Sequence, residues 1–134
     1  MATDHDALIP LARECLERSY APYSRFHVAA AVIDDRGRVF TGVNVENVSY
    51  GLSMCAERVA IFTAIAAGAR RITALAVASS GTGLLSPCGA CRQVLVEFAA
   101  PDVPVYCETT GNPHRWTVGE LLPHAFAAPQ LGKS

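Results

Sequence analysis

What this sequence holds least of is charge, and the charge it has is balanced. Only 17 % of the residues are Asp, Glu, Lys or Arg, and eleven basic against twelve acidic side chains leave a net charge of −1. Proteins that grip nucleic acid or an anionic membrane surface advertise a basic face, so neither partner is expected. Long apolar runs are missing too. The longest, around Val59–Gly68, is too short and too rich in alanine to cross a bilayer. The opening residues, Met1-Ala-Thr-Asp-His-Asp-Ala-Leu8, carry neither the basic nor the apolar segment of a secretion signal, and a cytoplasmic location is expected. Thiols stay reduced there, so clustered cysteines read as metal ligands or catalytic groups before they read as disulfides. Repeats, low-complexity tracts and internal linkers are also absent, and residues 1–134 are read as one domain.

What is present is a chain 51 % hydrophobic, long enough to build a core without disulfide staples. The stripe Leu8, Leu11, Ala12, Cys15 and Leu16 predicts a helix over Ala7–Ser19, which Ala21-Pro-Tyr-Ser24 breaks. Val28–Ile33 and Arg38–Val45 predict a hairpin with Gly37 at its turn, and Glu46–Gly51 a loop. Met54–Ala67 predicts a helix stopped by Gly68, and Thr73–Ser79 a buried strand followed by a glycine-rich loop. Gly89–Ala99 predicts a second core helix, Val103–Cys107 and Pro113–Val118 two further strands, and Gly119–Leu122 a helical turn. A hairpin followed by strands alternating with helices implies an α/β fold. The expected form is a three-layer α/β/α sandwich on a mixed five-stranded sheet, with the hairpin as its antiparallel part.

Three of the five cysteines stand where chemistry is concentrated. Cys88 and Cys91 form Pro87-Cys-Gly-Ala-Cys91 just before a predicted helix, and Cys55 opens another, two residues before Glu57. A CxxC alone is weak evidence. Preceded by Cys-Ala-Glu it matches the deaminase pattern of a [His/Cys]-x-Glu element followed by Pro-Cys-x-x-Cys. Helix N-termini stabilise thiolates, and three ligands leave a tetrahedral zinc one open position for water. Zinc acidifies that water, although three thiolates overcompensate its charge. Arg58 is placed to offset this, and Glu57 to carry protons between water and substrate.

Plainer readings stand beside this one. The three cysteines could belong to a closed, non-catalytic structural zinc module, completed by Cys107, His27, His114 or His124. A thioredoxin-like redox pair would leave Cys55-Ala-Glu57 unexplained. Cys15 and Cys107 sit on apolar faces and read as small buried hydrophobes, and the four histidines as surface or packing residues.

With these motifs in view, residues 8–127 resemble the small homotetrameric, zinc-dependent cytidine deaminases. The resembling segments are Tyr20-Ala-Pro-Tyr-Ser-Arg-Phe26, Phe40-Thr-Gly-Val-Asn-Val-Glu-Asn47, Ser49-Tyr-Gly51, Cys55-Ala-Glu-Arg58, Ser86-Pro-Cys-Gly-Ala-Cys-Arg-Gln93, and Glu120-Leu-Leu-Pro123 with Phe126. The resemblance implies hydrolytic deamination of cytidine and 2′-deoxycytidine, with one Zn2+ per chain held by Cys55, Cys88 and Cys91 and with Glu57 as proton shuttle. It implies that Asn44 and Glu46 bind the ribose hydroxyls, that Phe26 walls the pyrimidine, and that the backbone at Ala56 and Ser86 meets the base. It also sends Tyr50 and Phe126 into a neighbouring subunit's site, giving a homotetramer with shared sites. Ala29 stands where the family usually keeps Gly, and Ser53-Met54 where Thr and a branched aliphatic residue are common. A deaminase of a nucleoside antibiotic such as blasticidin S shares the zinc motif but is expected to depart from Asn-Val-Glu-Asn and Ser-Tyr-Gly. Both are intact here.

Overall fold

Strand β1 (Val28–Asp34) is buried along its whole length because both its faces are covered. A computed structural model, which describes residues 4–127, divides its side chains with the period of two that a strand imposes. Ala29, Ala31 and Ile33 pack with Leu8 and Ala12 of α1 (Leu8–Glu14). Val28, Ala30 and Val32 join a larger core with α2 (Ala56–Ala66) and α3 (Gly89–Phe98). Strand β3 (Ile72–Ser79) repeats the division, with Ala74, Ala76 and Ala78 towards α1 and Leu75 and Val77 away from it. These are the three layers that the alternation of elements predicts.

The sheet has the order β2-β1-β3-β4-β5, completed by β2 (Val39–Val43), β4 (Pro104–Cys107) and β5 (His114–Thr117). It is mixed as expected, but its antiparallel part exceeds the hairpin. β1 pairs antiparallel with both β2 and β3, and β5 pairs antiparallel with β4. Only β3 and β4 run parallel, joined by the crossover that contains α3. The reason is that α2 returns the chain across one face and lays β3 along the free edge of β1. A short fourth helix, α4 (Val118–Leu121), starts with a capping box between Thr117 and Glu120.

The first helix is shorter than its apolar stripe predicts. After Glu14 the hydrogen bonds tighten to i→i−3, from Cys15 N to Ala12 O and from Arg18 N to Cys15 O, and Leu16–Arg18 is a 3-10 turn. The tightened end delivers Tyr20 to an isolated bridge with Val45. The second helix ends where expected, with Gly68 in the left-handed region at φ 102°.

One contact seats the helix that carries Glu57. A Cβ added to Gly42 of β2 would lie 2.3 Å from Ala60 N and 2.8 Å from Ala56 O. With Ala56, Ala60 and Ala64 all buried on the facing stripe, β2 and α2 meet backbone to backbone, and the start of α2 is fixed against the sheet. No helix among the described residues is long and apolar enough to cross a membrane.

Candidate metal centre and substrate cavity

Cys55 is the N-cap residue of α2 and Cys88 that of α3, yet neither side chain caps its helix. N-cap side chains ordinarily accept a bond from the first turn. Here the sulfurs turn to each other and to Cys91, in the first turn of α3. Cys88 Sγ lies 3.7 Å from Cys55 Sγ and 3.5 Å from Cys91 Sγ, and all three sulfurs lie within 4.8 Å of one another. Sulfurs bound at ~2.3 Å to a tetrahedral zinc stand ~3.8 Å apart, so the three thiols fit that ion with little adjustment. Among the described residues neither Cys107 nor any histidine joins the group. Three candidate ligands, with Cys88 exposed and Cys91 buried, suit an open site, and the closed reading finds no fourth ligand among the described residues.

The cluster is electrostatically uneven. The bond from the Cys91 thiol, followed by the Arg58 guanidinium, brings the Cys55 thiol down to about 5. The same bond, together with burial, pushes Cys91 up. Arg58 Nη2 donates to Cys55 Sγ at 3.4 Å, as its position three residues after Cys55 predicts. Arg58 Nε is buried and has no hydrogen-bond partner among the described residues.

Beside the sulfurs is a cavity of about 300 Å³, whose walls include Cys55, Ala56, Glu57 and Cys88. Glu57 is only 5 % exposed, and burial raises its carboxyl to about 7, with the nearby Cys55 charge adding to the rise. A carboxyl poised near neutrality both takes and gives protons. Cys107, fully buried in the core, is pushed up to about 12 by burial and is the inert small hydrophobe its apolar strand predicts. Cys15 is half-buried against the α1 side of the sheet.

The cavity is also lined by Ser24, Phe26, Asn44 and Glu46, and by Ser86 of the cysteine loop. Residues 44–46 are extended between two bridges, Val45 pairing with Tyr20 on one side and with Met54 on the other. Alternation then puts Asn44 and Glu46 on one side of the segment. Both arrive already bonded. Asn44 Oδ1 accepts from the Ser19 hydroxyl and from Val28 N at 2.9 Å, and Nδ2 donates to Phe26 O at 2.8 Å. Glu46 Oε1 accepts from Tyr23 N (3.0 Å) and Ser24 N (3.1 Å), and Oε2 accepts from the Ser24 hydroxyl. The Ser24 hydroxyl, the first of these causes, lowers the Glu46 carboxyl below the usual range. Glu46 is half-buried, so losing a ligand would not strand a buried, unpaired charge.

Two further site residues of the sequence reading lie elsewhere. Tyr50 is 75 % exposed, with its ring 6.0 Å from that of Tyr23, and Phe126 is 58 % exposed, its carbonyl held by Gln93 Nε2 at 2.7 Å. Neither lines the 300 Å³ cavity.

Sequence reasoning assigned no role to Arg92 or Gly81. Arg92 donates to Pro87 O, Ser86 Oγ and Leu121 O at 2.7, 2.9 and 2.9 Å, tying the cysteine loop to α4. Its place directly after Cys91 was the available signal. Gly81 lies under the Phe26 ring, where a Cβ would stand 2.6 Å from Phe26 Cε1, and nothing local in the sequence marks that contact.

Comparison with known proteins agrees with this geometry. Residues 2–107 match the family model described as the cytidine and deoxycytidylate deaminase zinc-binding region. A cytidine deaminase of Halalkalibacterium halodurans is 45 % identical over 129 residues, 96 % of this chain and 98 % of the relative. One of Sporosarcina psychrophila is 43 % identical over 96 % of this chain and 95 % of its own. Among solved structures, a cytidine deaminase from Burkholderia pseudomallei superposes with a TM-score of 0.85 at 47 % identity, covering 92 % of this chain and 100 % of that one.

Proposed function

The chain belongs to the cytidine and deoxycytidylate deaminase family, and we propose that it hydrolyses cytidine and 2′-deoxycytidine to the corresponding uridines with release of ammonia. The observation that carries this reading is the meeting of three thiols with a buried Glu57 at one end of a nucleoside-sized cavity.

Cys55, Cys88 and Cys91 would hold one zinc, which when bound would supply the Lewis acidity that makes water a competent nucleophile near neutral pH. Glu57 takes a proton from the attacking water and passes it to the pyrimidine ring. It then takes the second proton from the hydroxyl added to the ring carbon and gives it to the amino group, which leaves as ammonia while the C–O bond becomes the carbonyl, so one water is consumed and one ammonia released. Its raised proton affinity suits both directions of transfer. Arg58 balances thiolate charge, Ala56 and Ser86 present backbone to the base, Phe26 covers the ring, and Asn44 and Glu46 take the sugar.

A homotetramer with shared sites fits the surface. Val48, Tyr50, Leu52 and Phe126 are all more than half exposed, and burial of these apolar groups against another copy supports that reading. Five free cysteines suit a reducing cytoplasm, where such an activity serves pyrimidine salvage. The test is an ultraviolet assay on cytidine, 2′-deoxycytidine, cytosine, CMP and blasticidin S, with zinc content and light scattering on the same sample. The reading expects turnover of the two nucleosides, one zinc per chain and a particle of four chains. Preferred turnover of blasticidin S, or bound zinc without ammonia release, would overturn it, and an active monomer would end the shared-site proposal.

A further inference from the structure

The family reading gives Asn44 to the sugar but leaves open which end of its amide faces it. Oδ1 is occupied twice, by the Ser19 hydroxyl and by Val28 N–H, and one Nδ2 hydrogen goes to Phe26 O. The second Nδ2 hydrogen is the part of the amide left for the cavity that Asn44 lines. A turned amide would set Nδ2 against two donors and Oδ1 against the Phe26 carbonyl, so one orientation wins.

The chain of bonds extends one residue further. Ser19 donates its only hydroxyl hydrogen to Asn44, so in its 3.0 Å contact with His27 Nδ1 the serine oxygen accepts and the imidazole donates. His27 Nδ1–H, Ser19 O–H and the Asn44 amide therefore form a series of donors all directed at the cavity, each polarising the next.

We propose that Ser19, itself held by His27, is a positioning residue that fixes the Asn44 amide with its N–H towards the sugar. This wall then offers the sugar a donor while Glu46 offers an acceptor. The inference rests on the nucleoside reading above and adds the polarity of its sugar end.

The experiment compares Ser19→Ala with wild type on cytidine and on 2′,3′-dideoxycytidine, which lacks the 2′ and 3′ hydroxyls and keeps only the 5′ one. Side chains in one hydrogen-bond network couple enough to lower kcat/KM for cytidine by roughly 3- to 10-fold, chiefly through KM. On the dideoxynucleoside the loss should be much smaller, since the 2′ and 3′ hydroxyls that would accept the amide N–H are gone. Ser19→Thr keeps the hydroxyl and should restore the cytidine value. Should Ser19→Ala not fold, His27→Ala provides the same comparison, with a smaller loss in the same direction. Equal losses on both substrates would make the effect structural, and an unchanged KM for cytidine would also overturn the proposal. A wild-type enzyme inactive on cytidine would instead remove the reading on which it rests.

Discussion

At the cysteine end of the cavity the sulfurs crowd together, and among the described residues Arg58 is the cation that bonds them. Three sulfurs lie within 4.8 Å of one another with one guanidinium beside them. At the Asn44 end the Asn44 and Glu46 side chains reach the cavity already bonded to residues 19–28, with one Asn44 N–H left over. The difference separates a cluster suited to an ion from a wall that holds its shape unaided. Damage to the first should abolish chemistry and leave the fold, whereas damage to the second should act on substrate binding.

The largest expected effect is at the metal end. Cys88→Ser replaces a thiolate by a hydroxyl, a far poorer zinc ligand, and should lose zinc and essentially all activity. Cys107→Ser, in the core and outside the sulfur group, should keep both. Metal analysis with a deamination assay checks the pair. Full zinc in Cys88→Ser, or zinc loss in Cys107→Ser, would redraw the ligand set.

Next in size is Glu57→Gln. The amide keeps the volume but moves no protons, and loss of general acid–base help costs ~10²–10⁴-fold in turnover. Zinc content and fold should stay intact. Turnover near that of wild type would take Glu57 out of the reaction and leave the metal end purely a matter of its cysteines.

The same contrast explains what could be read from the sequence. The metal end is local: Cys55-Ala-Glu57-Arg58 and Pro87-Cys-Gly-Ala-Cys91 each sit at one helix start, so the two short motifs together expose the proposed ligands, shuttle and counter-charge. The layers were legible because alternating alanines and β-branched residues fix which strands are covered on both faces. Three features were not. The tightening after Glu14 depends on the bridge between Tyr20 and Val45, two residues far apart in the chain. The partners of Asn44 come from residues 19, 26 and 28, and nothing in Asn-Val-Glu says that its amide is already bonded. The antiparallel placement of β3 against β1 follows from where α2 returns, a tertiary choice that no strand pattern encodes.

The smallest effect, and the sharpest test of the sugar and base end, is expected from Gly81→Ala. The new Cβ would stand 2.6 Å from Phe26 Cε1, 3.4 Å from Cζ and 3.7 Å from Cδ1. All three are ring atoms of a side chain 38 % exposed, so the ring gives way and the backbone does not. Gly42 is the opposite case, because its nearest atoms are the backbone of α2 and crowding there strains the fold. Gly81→Ala should therefore hold its stability within about 0.5 kcal/mol, as surface substitutions do. What it moves is the aromatic wall. Stacking on such a ring contributes about 0.5–1.5 kcal/mol, which corresponds to a KM raised roughly 2- to 12-fold. Turnover at saturation should stay close to wild type, since Glu57 and the cysteines are not displaced. Thermal melting, zinc content and steady-state kinetics on cytidine measure the three quantities together. A fallen kcat with unchanged KM would mean that Phe26 reaches the reacting centre instead of covering the ring, and the division between the two ends would have to be drawn elsewhere.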